Sequence, residues 1–162
     1  MIRKNKNSLI IILFSLFVIF GCQKERVYNK TYDIPENKWN KNNIVNFKVP
    51  VEDTLTAHNV YLHVRHLSKY DFQNLFLFVN VSSPEGYSVK DTFECMLAND
   101  KGQWYGSGWG DVYHNKILYK KNILFPASGT YSFELQQAMR KKNLKHISDV
   151  GLEIRKSNQK IK

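Results

Sequence analysis

The segment at positions 45–51 narrows the possible folds more than any other, because its apolar and polar residues alternate without a break. Val or Phe occupies every odd position, and Asn46, Lys48 and Pro50 occupy the even ones. Successive side chains of a strand point to opposite faces, so this pattern predicts a β-strand with one buried face. Pro50 has no backbone N–H to donate across a ladder, which predicts that the strand lies at a sheet edge.

Short apolar segments of the same kind recur to the end of the chain, separated by residues that favour turns. We predict further strands at 28–34, 60–66, 75–81, 89–98, 103–113, 117–125, 131–135 and 150–154. Residues 75–81 are apolar on both faces, which predicts a central strand covered on each side. The tight turn at 99–102 predicts that the segments flanking it form a hairpin.

One segment has the composition of a helix. Residues 136–144 contain Ala138, Met139 and Leu144 among good helix formers, which predicts a turn or two of helix. The chain is therefore predicted to be all-β, a two-sheet antiparallel β-sandwich that is jelly-roll-like, with one short helix near residues 136–144. A closed barrel is the alternative, because periodicity alone does not distinguish the two.

The N-terminus indicates export and lipid attachment. Basic residues at positions 3, 4 and 6 precede an apolar segment at 9–20, and Gly21 then precedes Cys22. That segment has about a dozen residues, whereas a transmembrane helix needs about 20, so we interpret residues 1–21 as a lipoprotein signal peptide. The Cys22 thiol is the predicted attachment point of a diacylglyceryl group, with fatty acyl chains such as palmitate. An ordinary signal peptide or a retained anchor is the alternative.

The chain divides into four predicted regions. These are the signal peptide 1–21, a lipidated tether 22–27, a β-sandwich domain 28–156 and a flexible tail 157–162. Removing residues 1–21 from the 162 leaves 141, which suffices for one domain with its own core. The tether is short, so the domain must lie close to its membrane. One acid between two bases at 24–26 contrasts with the acidic export tags of surface lipoproteins, which favours the periplasmic leaflet over the cell exterior.

Charge and cysteine content restrict the partners. The net charge of +10 falls to +7 once the three signal-peptide cations are removed, and a basic surface attracts lipid phosphates, glycan carboxylates or acidic proteins. A solvated surface is the simpler interpretation of the same lysines. No recognition motif points to nucleic acid, so we expect no nucleic-acid partner. Cys95 lacks a second cysteine once Cys22 is lipidated, and we predict that it is a small buried apolar residue.

The sequence Trp-Tyr-Gly-Ser-Gly-Trp-Gly at 104–110 is the most unusual in the mature chain. Glycine at every second position of a strand indicates a bulge, a bend or the close approach of another surface. Trp104, Tyr105 and Trp109 are candidates for stacking on a sugar ring or for contact with a partner. The alternative is that the tryptophans fill the core between the sheets.

The histidines and acids do not form a recognisable catalytic or metal-binding motif. His63 and His66 point to opposite faces of a strand, while His114 and His146 stand apart in the sequence. Candidate acid pairs are split between faces or placed near turns, where Asp caps backbone amides. We therefore predict no catalytic residues, no metal site, no cofactor and no enzymatic activity.

Two sequence signatures resemble those of a known family. The first comprises Asp-Thr-Phe-Glu at 91–94 and Leu-Ala-Asn-Asp-Lys-Gly-Gln-Trp at 97–104, followed by Gly106 and Gly108. The second comprises Gly-Thr-Tyr-Ser-Phe at 129–133, Gln-Ala-Met-Arg at 137–140, Leu144 and Asp-Val-Gly-Leu at 149–152. Trp39, the strand around Arg65 and the pair Asn74-Leu75 fit the earlier portion. On these segments the chain is identified as a member of the GldH family of gliding-motility lipoproteins of the Bacteroidetes.

That resemblance implies an outer-membrane lipoprotein of the gliding apparatus, which works alongside the type IX secretion machinery, and it implies no catalytic residue. We expect a non-enzymatic structural or assembly component that contacts gliding or secretion proteins. The predicted contacts are Arg140, Lys141 and Lys142 together with the aromatic residues at 104–109. For Arg140, an ion pair with an acid such as Asp149 is the alternative. The competing function is an envelope module that binds peptidoglycan or another glycan.

Overall fold

The computed structural model describes residues 26–157, and β-strands account for most of them. In chain order the strands are β1 (Arg26–Asp33), β2 (Lys38–Asn40), β3 (Val45–Val51), β4 (His58–Leu67), β5 (Asn74–Ser82), β6 (Ser88–Met96), β7 (Ser107–Trp109), β8 (Val112–Ile123), β9 (Gly129–Gln137), β10 (Asn143–Lys145) and β11 (Ile147–Lys156). A 3₁₀ turn at Pro35–Asn37 follows β1. The predicted signal peptide, Cys22 and positions 158–162 of the predicted tail lie outside the described residues.

The strands form two main sheets and one small sheet, and every pairing is antiparallel. The five-stranded sheet has the order β1-β11-β4-β8-β7, the four-stranded sheet has the order β3-β9-β5-β6, and β10 pairs with β2. Without the three short strands, each main sheet keeps four strands, the first strand of the chain lies beside the last, and most connections cross between the sheets. This is the connectivity of a jelly roll. The predicted fold class is therefore confirmed.

The alternating pattern of the sequence builds the core between the sheets. β3 buries all its odd-numbered residues and lies at an edge of its sheet, as the position of Pro50 predicts. The other main strands contribute in the same way, and each fully buried aliphatic or aromatic side chain stabilises the fold by roughly 1.5–3 kcal/mol. Buried residues on these strands include Val60, Leu62, Val64, Leu75, Leu77, Val79, Tyr131, Phe133, Leu135, Val150, Leu152 and Ile154.

The helix predicted near residues 136–144 is wrong. Gln136 and Gln137 end strand β9 and pair with Phe78 and Leu77 of β5, and β10 occupies the end of the same segment. In the loop between β9 and β10, the sulfur of Met139 accepts a hydrogen bond of 3.3 Å from the backbone N–H of Phe76. Ladder pairing with β5 outweighs intrinsic helix propensity, which differs among these residues by only about 0.7 kcal/mol each.

The hairpin predicted across the turn at 99–102 forms only next to the turn, where the N–H of Tyr105 donates to the carbonyl oxygen of Leu97 at 2.8 Å. An isolated antiparallel bridge joins Ala98 and Trp104, but β6 itself, which ends at Met96, pairs with β5. β7 pairs instead with β8. The turn therefore carries the chain from one sheet to the other.

Strand β5 is central in its sheet, as predicted, but it is covered on one face. Leu75, Leu77 and Val79 are buried in the core, whereas Phe76 and Phe78 on the outer face are half-buried. Part of that outer face is shielded by Lys90, whose Nζ lies 4.7 Å from the centre of the Phe78 ring.

The two ends of the sandwich carry different connections. At one end lie Arg26 and the loops 52–57, 83–87 and 124–128, and we call it the Arg26 end. At the opposite end, the distal end, lie the segments 34–44, 68–73, 97–111 and 138–146. β4 has 10 residues and runs from one end to the other, so the ends are separated by about 33 Å.

Candidate interaction surface at the distal end

Both sets of predicted contact residues lie at the distal end of the sandwich. Residues 104–109 belong to the segment between β6 and β8, and residues 140–142 belong to the loop between β9 and β10. That loop leads into β10, which pairs with β2, whereas β7 pairs with β8 at the edge of the five-stranded sheet. The two sets therefore lie on different connections at the same end of the sandwich.

Of the three aromatic residues in the 104–109 segment, one packs at the core and two are exposed. Trp104 is half-buried and packs on His66 with ring centres 4.4 Å apart. Tyr105 is 62% exposed and Trp109 is 92% exposed. Trp104 therefore belongs to the edge of the core, whereas Tyr105 and Trp109 are accessible to a partner or to a sugar.

The glycines of the 104–110 segment allow a close approach to β8. A Cβ atom on Gly106 would lie 2.7 Å from the carbonyl oxygen of His114 and 2.9 Å from Nδ2 of Asn115. A Cβ atom on Gly108 would lie 3.1 Å from the ring of Tyr113. The predicted close approach of another surface is confirmed, and that surface is the neighbouring strand.

An aromatic cluster beneath the distal end holds this segment in place. His66 is fully buried against Tyr70, Trp104 and Tyr113, with ring centres 5.5, 4.4 and 5.7 Å away. The Nδ1 atom of His66 donates to the carbonyl oxygen of Leu67 at 3.0 Å, which leaves Nε2 as an unprotonated nitrogen in apolar surroundings. Burial lowers the pKa of His66, so the ring is neutral at pH 7 and acts as a packing residue.

A buried amide fixes the loop that carries the basic residues. Gln137 is 1% exposed, its Nε2 donates to the carbonyl oxygen of Lys141 at 2.8 Å, and its Oε1 accepts from the N–H of Met139 at 2.9 Å. The N–H of Lys41 donates to the carbonyl oxygen of Lys142 at 2.8 Å. These bonds hold the loop backbone against the domain, and the side chains at 140–142 remain exposed.

The ion pair considered for Arg140 is wrong. Asp149 is 2% exposed and accepts a hydrogen bond of 2.7 Å from Nε of Arg65 on the neighbouring strand β4. Arg140 is exposed in its loop. Its charge is therefore available at the surface of the distal end.

A charged network on the outer face of the five-stranded sheet was missed by the sequence reasoning. Glu153 is 2% exposed, and each of its carboxylate oxygens meets two basic side chains. Oε1 lies 3.3 Å from Nε of Arg26 and also accepts from Nε of Arg155, while Oε2 lies 2.8 Å from both Nε2 of His63 and Nζ of Lys116. An acid inside the apolar strand at 150–154 was the available signal, because a buried carboxylate requires such partners.

The network has a clear electrostatic consequence. Burial alone would raise the pKa of Glu153, but hydrogen bonds from Lys116, Arg155 and His63 outweigh it and lower the pKa to about 2. Glu153 is therefore ionised at pH 7 and joins β1, β4, β8 and β11 through one carboxylate. We interpret the network as a set of ion pairs that stabilises the pairing of these four strands.

The expectation that His114 stands apart is wrong in space, although it holds in the sequence. Nδ1 of His63 lies 2.8 Å from Nε2 of His114, across the β4–β8 pair. Because Nε2 of His63 donates to Glu153, its Nδ1 accepts and Nε2 of His114 donates. Within residues 26–157, no group of three His, Cys, Asp or Glu side chains converges as metal ligands would.

The two cysteines differ in environment. Cys95 is fully buried, as predicted, and burial raises the pKa of its thiol to about 12. Cys22, the predicted lipidation site, lies outside the described residues. In the described part of the chain, none of the helical structure has the length and hydropathy of a membrane span.

Comparison with known proteins identifies the relatives of this chain. A family model described as GldH lipoprotein matches residues 26–154. "Gliding motility lipoprotein GldH homolog" of Christiangramia forsetii is 35% identical over 158 residues, which cover 93% of this chain and 96% of the relative. "Gliding motility lipoprotein GldH" of Flavobacterium johnsoniae is 34% identical over 156 residues, which cover 92% of this chain and 96% of the relative.

Similarity to solved structures is much weaker. A complex of the Aeromonas sobria serine protease with its chaperone aligns with 90% of this chain and 29% of its own, at 11% identity and a TM-score of 0.32. A likeness of this size indicates neither a shared fold nor a shared function.

Proposed function

The chain belongs to the GldH lipoprotein family, and from this premise we propose that it is a non-enzymatic assembly component of a gliding-motility machinery linked to type IX secretion. In this proposal, lipid on Cys22 anchors the protein in the outer membrane, on the periplasmic side. The jelly roll then presents its distal end to a machinery protein.

The observation that carries the proposal is the placement of the two predicted contact sets. The accessible aromatic residues Tyr105 and Trp109 and the basic residues 140–142 share the end of the sandwich that is opposite Arg26. Arg26 is four positions from Cys22. The contact residues are thus on the side of the domain farthest from the predicted anchor, where a partner has access.

Aromatic and arginine side chains dominate the energetics of protein interfaces. Arg140 and Trp109 supply both kinds of residue. Arg140 lies on a loop that Gln137 holds in place, and Trp109 lies on β7, next to the close contact between Gly106 and β8. Rigid support lowers the entropy lost on binding. We therefore expect the distal end to bind an acidic surface that contains an apolar patch.

Charge reversal at the basic loop tests the docking surface. The triple change Arg140→Glu, Lys141→Glu and Lys142→Glu places like charges against an acidic partner, which we expect to weaken binding by about 3 kcal/mol or roughly 100-fold. The measurement is in-cell photocrosslinking from position 109, together with the spreading of colonies. We expect the triple variant to lose both the crosslinked partner and spreading.

A matched control makes the same change in charge elsewhere. Lys30, Lys48 and Lys90 are exposed on the sides of the sandwich, and their replacement by Glu should leave crosslinking and spreading intact. Equal amounts of each variant in the envelope fraction exclude an effect on abundance. If the triple variant at 140–142 keeps every crosslink and normal spreading, the docking surface lies elsewhere.

The anchor is tested separately with Cys22→Ser. This variant should unfold at the same temperature as the cleaved, lipidated protein but fractionate away from membranes, because the lipid supplies the attachment. A Cys22→Ser protein that still fractionates with membranes and supports gliding would contradict the anchor.

Exposure of Tyr105 and Trp109 also favours the competing function, an envelope glycan-binding module. Aromatic planes that face solvent can stack on sugar rings. Sedimentation with purified sacculi at low salt measures binding to peptidoglycan. The double change Tyr105→Ala and Trp109→Ala is the control, because it removes both exposed aromatic rings. Absence of wild-type sedimentation would exclude peptidoglycan as the ligand.

A further inference from the structure

We propose that the Arg26 end is a membrane-contacting surface, in which apolar side chains on three loops enter the bilayer interface and hold the jelly roll upright. The inference rests on the proposed lipid anchor at Cys22. It adds an orientation, a second point of membrane contact and a set of residues that the anchor alone does not specify.

The length of the chain brings this end to the membrane. Cys22 precedes Arg26 by four residues, and four residues span at most about 14 Å. Arg26 is level with Arg155, which in turn is level with Asn59, close to the start of β4. The loop 52–57 begins beyond that level, on the side away from the distal end. A lipidated Cys22 therefore leaves only a narrow gap between these loops and the bilayer.

Each of the three loops at this end exposes a large apolar side chain. Leu55 is 89% exposed in the loop 52–57, Tyr87 is 74% exposed in the loop 83–87, and Leu124 is 47% exposed in the loop 124–128. Val89, just after the second loop, is 69% exposed. A cluster of this kind on three separate loops indicates an interaction surface rather than a chance exposure.

The apolar surface continues from the loop tips into a cleft. Tyr87, Val89 and Leu124 border a cleft of about 360 Å³ between the edges of the two sheets, and Ile123 and Phe133 also line it. Its wall includes the pair Asp91 and Lys120, which are joined at 2.8 Å. Side chains that enter the interface at Tyr87 and Leu124 would place the mouth of this cleft against acyl chains.

Charged side chains of both signs surround the apolar tips at this end, and most of the basic ones are in ion pairs. Lys121 follows Lys120 near the end of β8, and Arg26 is 42% exposed in its pair with Glu153. Lys156, at the end of β11, lies 2.9 Å from Asp53. Glu52 and Glu85 are exposed on the same loops, so the charges of this end are mixed. Long polar side chains beside apolar tips can lie among the lipid headgroups while the apolar groups lie deeper.

A bilayer fits the available gap better than a protein does. An α-helix with its side chains is already about 10–12 Å in diameter, so a folded partner would fill the whole reach of the tether. Each of the three loops exposes a single large apolar side chain at its tip. A fluid bilayer interface can accommodate such separate side chains, because lipids rearrange around each of them. The surface of the membrane that holds the lipid of Cys22 is the occupant we infer.

Environment-sensitive labels on the lipidated protein test the inference. Leu55→Cys, Tyr87→Cys and Leu124→Cys each introduce one thiol for a nitrobenzoxadiazole dye, and Trp109→Cys at the distal end is the matched control. The native cysteines do not compete, because Cys22 is blocked by lipid and Cys95 is buried. The labelled proteins are reconstituted into vesicles of phosphatidylethanolamine and phosphatidylglycerol, with or without nitroxide-labelled lipid.

We expect the dyes at 55, 87 and 124 to brighten several-fold and shift to the blue in vesicles, and to be quenched by the nitroxide lipid. The dye at 109 should do neither. A second variant checks that the dye does not drive its own insertion: Leu55→Ser with Leu124→Ser should reduce the blue shift of the dye at 87.

Three outcomes would overturn the inference. If the protein incorporates into vesicles while the dyes at 55, 87 and 124 behave like the dye at 109, the lipid anchor is supported and the membrane-contacting surface is refuted. If those dyes are shielded in cell envelopes but not in vesicles, the Arg26 end contacts a protein. If the lipidated chain does not incorporate at all, the proposed anchor itself fails.

Discussion

Replacement of Glu153 by glutamine tests whether the charged network fastens the five-stranded sheet. The substitution keeps the shape of the side chain but removes the charge that faces Arg26, His63, Lys116 and Arg155. The pKa of Glu153 is lowered from 4.5 to about 2, a shift that corresponds to about 3.4 kcal/mol at about 1.4 kcal/mol per pKa unit. Arg26, Lys116 and Arg155 are 42%, 32% and 33% exposed, whereas His63 is 11% exposed. Water therefore screens three of the four partners, and we expect a loss of about 2–3 kcal/mol in the free energy of unfolding at pH 7.

The loss should depend on pH in a defined direction. The folded-state pKa of Glu153 lies below its unfolded value, so the stabilisation is complete above that value and is lost as the pH falls toward 2. Between pH 7 and pH 3.5, protonation in the unfolded state should remove about 1.4 kcal/mol of the difference between wild type and variant. The glutamine variant has no such contribution, so the two stabilities converge in acid.

Urea unfolding followed by tryptophan fluorescence measures both quantities, on protein with Cys22→Ser so that it stays soluble. Glu85→Gln is the control, because Glu85 is exposed in the loop 83–87, and it should change stability by less than about 0.5 kcal/mol. A loss at Glu153 below about 1 kcal/mol at pH 7 would refute the role of the network. An equal loss at pH 7 and pH 3.5 would show that the ionisation of Glu153 is not what stabilises the sheet.

Three further changes probe the distal end and the core. Gly106→Ala should destabilise the fold by about 1–3 kcal/mol in thermal unfolding, because its Cβ would lie 2.7 Å from the carbonyl oxygen of His114; Gly102→Ala, which meets open space, should cost only the roughly 1 kcal/mol of its left-handed conformation. Gln137→Leu should lower the free energy of unfolding by about 1–3 kcal/mol, because it removes the hydrogen bond to Lys141 and leaves the N–H of Met139 unpaired. It should also accelerate hydrogen exchange at 138–142. Unchanged exchange would contradict the role of Gln137 in holding the loop. The Cys95 thiol, with a pKa of about 12, should not react with a disulfide reagent in the native Cys22→Ser protein and should react fully in urea.

The sequence predicted the strands well where the deciding information was local. A period of two residues specifies both a strand and its buried face, and β3 matches its predicted boundaries and edge position for that reason. The same reasoning failed at 136–144, where helix propensity is local but the outcome depended on pairing between β9 and β5. At 99–102 it was right only next to the turn, because β6 and β7 on either side of it belong to different sheets.

The candidate site was also predicted only where local sequence sufficed. The sequence singled out 104–110 and 140–142. It could not show that Trp104 is half-buried and Trp109 exposed, because that depends on how the segment lies against β8 and on His66 beneath it. The network around Glu153 was out of reach, because its members come from four strands that only the jelly-roll order brings side by side. An acid in an apolar strand indicates that partners exist without identifying them.

The adjacency of the first and last strands has a mechanical consequence for a tethered protein. β1 begins four residues after Cys22 and runs toward the distal end, paired with β11 at seven positions from Arg26 to Asp33. Hydrogen bonds of an antiparallel pair lie perpendicular to the strands. In the arrangement that we propose, a force between the lipid and a partner at the distal end pulls β1 along its own axis. The ladder is then loaded in shear and its hydrogen bonds share the load, whereas a perpendicular force would break them one at a time.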